Sequence, residues 1–70
     1  MIERDLAVYI QKRALRAIEM LTEIFNLNLG QCSPDEYMQI KRGIASSIIA
    51  IQTELLDNLY KDHPDIDHLR

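Results

Sequence analysis

Apolar residues recur along this chain at helical spacing, and the recurrence is interrupted once. From the start to Leu29 there is neither glycine nor proline. Within that stretch Leu6, Ile10, Ala14, Ala17, Leu21 and Ile24 follow one another at steps of three and four, the spacing of one face of an α-helix. A second row, Val8, Leu15, Ile18, Phe25 and Leu29, runs beside it. Gly30 then stands where a helix ends easily, because glycine reaches positive φ without a steric penalty. The pattern predicts a first helix over about residues 3–29.

The chain restarts at "CSPDEY". Ser33 is an N-cap residue, Pro34 suits the first helical position, and Glu36 completes a capping box. Cys32 and Tyr37 occupy the two positions of a hydrophobic staple, which gives the thiol a packing role. Two apolar rows follow. One is Tyr37, Ile40, Ile44, Ile48, Ile51 and Leu55; the other is Met38, Ala45, Ile49, Leu56, Leu59 and Tyr60. His63 precedes Pro64, and the residue before a proline is disfavoured in helical geometry. The expected order is a turn at about 30–33, a second helix at about 34–62, and an acidic tail at 63–70 that is frayed or forms one short extra turn. So short a connection makes the helices antiparallel neighbours. The predicted fold is all-α, an antiparallel two-helix hairpin in a single domain, 1–70.

Two apolar rows per helix are more than one partner helix covers, and monomers rarely leave long apolar stripes exposed. The chain is therefore expected to dimerise with itself into a four-helix bundle. Its hairpin and dimer core would hold Leu15, Ile18, Phe25, Ile44, Ile48, Ile51, Leu55 and Leu56. Otherwise an unknown protein partner covers the second row, and the chain is a small subunit of a hetero-oligomeric complex. With the turn centred near residue 31 or 32, facing residue numbers sum to about 63. Gln11 then falls level with Gln52 and Thr22 with Lys41, as two polar layers across the bundle.

Composition sharpens this picture. Seventy residues, 47% of them hydrophobic, make one domain, not a disordered chain. A core this small is marginal and needs help. Cys32 is the only cysteine, so no intrachain disulfide supplies it, which again favours oligomerisation. No signal peptide and no apolar run long enough for a membrane span are present, so a cytoplasmic protein without a membrane partner is expected. The net charge of −3 argues against general affinity for nucleic acid.

Candidate chemistry is sparse. Gly43, Ser46, Ser47 and Ala50 form a strip of small residues on the second helix, suited to close approach by a partner's backbone. Lys12, Arg13 and Arg16 form a basic ridge on the first helix that phosphates could contact. No aromatic residue is expected beside that ridge for base stacking. The tail brings together His63, Asp65 and His68, which are metal-ligand types, but such a site needs three or four converging, braced ligands. No nucleophile has a histidine within helical reach, Asp57 is expected to pair with Lys61 at i+4, and no phosphate loop is present. The reading is a non-enzymatic protein-interaction or regulatory module without cofactors. The alternative is a regulator that binds RNA or DNA through the basic ridge.

Overall fold

The computed structural model describes residues 2–27 and 30–69, the last two of them by backbone alone. It is a helical hairpin. Helix α1 spans Arg4–Glu23 and is followed by a 3-10 turn, Ile24–Asn26. Helix α2 spans Pro34–Ala50. It continues through a π-turn, Ile51–Leu56, into α3, Asp57–Asp62. A 3-10 helix, Pro64–Leu69, closes the described chain. The molecule measures 45 × 17 × 16 Å. Its long axis is the run 34–62, about 43 Å at 1.5 Å per residue, whereas the 20 residues of α1 make about 30 Å.

The second helix starts as its residues dictate. The Ser33 Oγ accepts from the Glu36 N–H at 3.1 Å, and the Ser33 N–H donates to Glu36 Oε1 at 2.8 Å, a complete capping box with Pro34 in the first turn. The first helix ends earlier than its periodicity implies. Glu23 is its last residue and no basic residue stands in its last turn, so the helix dipole meets a carboxylate at its unfavourable end. Leu27 is already extended, and Gly30 has no positive φ. Leu29, expected as the last apolar residue of that helix, lies outside the described residues.

This early stop moves the register. Gln11 faces Tyr60, so facing numbers sum to 71 along the helices, not about 63. The two helices are thus separated by a longer connection than the turn at 30–33 that the periodicity implied. The polar layers dissolve accordingly. Gln52 is exposed, and the Thr22 Oγ1 donates to its own helix at Ile18 O, 2.8 Å away.

The core comprises Ala7, Ala14, Ile44, Leu56, Leu59 and Ile66. Ile10, Leu15, Ile18, Ile48 and Ile51 are half-buried. Phe25 and Leu55 remain 38% and 40% exposed, so within the protomer neither joins the hairpin core. Leu55 is displaced by the π-turn, where the Asp57 N–H donates five residues back to Gln52 O. Burial passes from Ile51 to Leu56, an interval of five, and Leu55 turns outward.

The tail forms the short extra turn, and through Ile66 it is more than a solvated segment. Ile66 is fully buried, and Gln11 Nε2 donates to its carbonyl at 2.7 Å and to the Tyr60 hydroxyl at 3.2 Å. His63 Nε2 lies 2.6 Å from Ile2 O, and Arg4 Nε pairs with Asp65 Oδ2 at 2.7 Å. The end of the chain thus clasps the start of α1.

Candidate interaction surface

The turn end of the hairpin carries an uncovered apolar area. The 3-10 turn and the segment after it bring Phe25 and Leu27 beside the first turns of α2. Together with Cys32, Pro34, Tyr37 and Met38 they line an open groove of about 490 Å³. Phe25, Leu27, Tyr37, Met38 and Ile40 are each between 38% and 63% exposed. These are half-wet apolar side chains on a rigid, capped helix start. Cys32 and Tyr37 share the groove wall, as staple positions do. The Ser33 N–H and, secondarily, its hydroxyl hold the Glu36 carboxyl below its ordinary pKa, so Glu36 is fixed in the cap and unavailable elsewhere. Asp35, Lys41 and Arg42, on the first turns of α2, are exposed and make no ion pair among the described residues.

A second cavity, of about 360 Å³, lies at the π-turn between Leu15 and Ile18 on one helix and Gln52, Leu56, Asp57 and Tyr60 on the other. Among the described residues Asp57 forms no ion pair with Lys61.

The small-residue strip is solvent-facing. Gly43, Ser46, Ser47 and Ala50 are all exposed, and the Ser47 Oγ donates to Gly43 O at 2.8 Å. A Cβ added at Gly43 would meet nothing within 4 Å, so nothing in the protomer's packing requires glycine there.

On α1 the basic ridge Lys12, Arg13 and Arg16 is exposed, but two of its charges are engaged. Arg16 pairs with Glu19 at 3.3 Å. Arg13 lies 5.2 Å from the Tyr9 ring centre and donates to the Tyr9 hydroxyl at 3.2 Å. Tyr9 is thus an aromatic beside the ridge, four residues before Arg13, contrary to expectation; the i, i+4 spacing was the available signal.

The tail residues converge on the start of α1, not on a common point. His63 meets Ile2 and Asp65 meets Arg4, while the His68 side chain lies outside the described residues. Among the described residues no group of three or more histidine, cysteine or acidic side chains is placed to hold a metal ion. No described helix is long and apolar enough to cross a membrane. No family model, curated protein or solved structure matches the chain.

Proposed function

We propose that the chain is a non-enzymatic protein-interaction module that works as a homodimer, two hairpins joining in a four-helix assembly. One observation carries this reading: among the described residues ten large hydrophobic side chains are 38–63% exposed, while the buried apolar core has six members, two of them alanine. A domain of this size with so small a core is marginal alone, so whatever covers the apolar surface must be present whenever the chain is folded. A second copy meets that condition by itself. The test is molar mass by light scattering across a dilution series, with helicity followed on the same samples. The expected result is twice 8.2 kDa, with helicity falling as the dimer dilutes apart. A fully helical monomer at every concentration would refute it.

A second reading, nucleic-acid binding through Lys12, Arg13 and Arg16, gains from the Tyr9–Arg13 stack. It loses more from the pairing of Arg16 with Glu19 and the net charge of −3. The same samples, mixed with duplex RNA, are expected to show no salt-sensitive mobility shift, and such a shift would reverse the ranking.

A further inference from the structure

We infer that the turn-end surface is closed by the same surface of a second copy, the first turns of the two α2 helices crossing antiparallel with Asp35 of each copy against Arg42 of the other. This rests on the homodimer reading and says where the two hairpins meet: at their turn ends, with Leu6, Tyr9, Met20, Ile49 and Leu55 outside this contact.

Asp35 to Arg42 form the octapeptide "DEYMQIKR". Its charges are antisymmetric about the middle: two acids, four residues of apolar or neutral character, two bases. An antiparallel second copy centred between Met38 and Gln39 therefore sets acid against base at both ends. A parallel copy sets like against like. An isologous contact has this twofold logic built in, since whatever one copy offers at one end the other must accept.

The structure narrows the pairing to particular groups. Glu36 is bound into the capping box by the Ser33 N–H, which leaves Asp35 as the available acid. Asp35, Met38 and Arg42 stand at i, i+3 and i+7, which places them on one stripe of α2. All three are exposed, and neither Asp35 nor Arg42 has an ion-pair partner among the described residues. On a lone protomer the stripe is a thioether between two unneutralised charges. Crossed with its own copy, it becomes a Met38 contact flanked by two ion pairs.

Area points the same way. Phe25, Leu27, Tyr37 and Met38 line one groove, and Ile40 stands exposed on the same helix start. At about 200 Å² per large side chain and half exposure, they offer ~500 Å² per copy and ~1,000 Å² per pair, the lower limit of a specific interface. The basic ridge, on α1, lies outside this contact.

The test is a charge swap. Arg42→Glu and Asp35→Lys are made separately, each leaving the Ser33–Glu36 cap untouched. Each variant alone faces two like-charge pairs across the twofold, and its dimer should weaken at least about tenfold at low salt. Mixed in equal amounts, the two variants regain opposite charges at both ends, and native mass spectrometry should find the heterodimer dominant over either homodimer. Should Asp35→Lys lose helicity through its first turn, Arg42→Glu decides alone, because it lies on an exposed position inside α2. A wild-type dimer together with an undiminished Arg42→Glu dimer overturns this contact and leaves the homodimer standing. A monomeric wild type removes both.

Discussion

Gln11 is the most buried polar side chain among the described residues, 1% exposed in the middle of α1. A primary amide so placed must find partners, and its Nε2 serves both the Tyr60 hydroxyl and the Ile66 carbonyl. The second bond matters more, because the peptide carbonyl of a fully buried residue has been taken out of water. Gln11→Leu keeps the volume and removes the donor. It should lower stability by about 1–3 kcal/mol, read from urea unfolding at fixed protein concentration, and the amides of the 3-10 tail should exchange faster. A Leu variant as stable as wild type would mean that solvent reaches Ile66. That Gln11 interrupts an apolar row was legible in the sequence. Its partners were not, because one comes from a tail whose composition, five acids and histidines in "DHPDIDH", reads as solvated. The lone Ile66 in that tail was the overlooked signal.

Between residues and whole molecule, the second helix presents the fewest sequence clues to its path. Both of its apolar rows were legible, as were its cap and its stop before Pro64. The exchange between rows was not. Every residue in Ile51–Leu56 is compatible with an α-helix, and a π-turn becomes favourable only because the partner's position rewards Leu56 and Leu59 over Leu55. Side chains share the carbonyls near the wider turn: Thr53 Oγ1 donates to Ile49 O at 2.9 Å and Asn58 Nδ2 to Glu54 O at 2.6 Å. A π-turn is one residue more than the α-helix needs. Deleting exposed Gln52 should therefore let Leu56 follow Ile51 by four and convert the turn to α-helix, with the melting temperature equal to or above that of wild type. Deleting Ser46 from α2 offers the control, since it separates Ile44 from Ile48 by three and rotates every later residue off the core. That loss should exceed about 1 kcal/mol, or ~4–8 °C for a domain this size. If both deletions cost the same, the π-turn is not a surplus residue.

At the scale of the whole hairpin, the two ends are held by different means, and both respond to acid in the same direction. The turn end depends on the cap, where the Ser33 N–H lowers the Glu36 pKa. The open end depends on the clasp, where Arg4 bonds Asp65 and lowers its pKa, with the nearby His63 adding a smaller pull. Each carboxyl binds its proton less tightly folded than unfolded. On acidification the unfolded chain therefore takes up protons first, and stability falls with pH. The contribution is fully present above the ordinary carboxylate range near pH ~4 and disappears as pH drops through the lowered folded values. Arg4→Gln removes the cause of the Asp65 shift and leaves the cap intact. Its stability should decline less steeply than wild type between about pH 5 and pH 2, with the two curves converging at the acid end, where the wild-type Asp65 is protonated too. Both groups are solvent-exposed, so added salt should shrink the difference between the curves. Parallel curves would show that Asp65 titrates alike in the folded and unfolded chain, and that Ile66 and Gln11 hold the clasp without the ion pair.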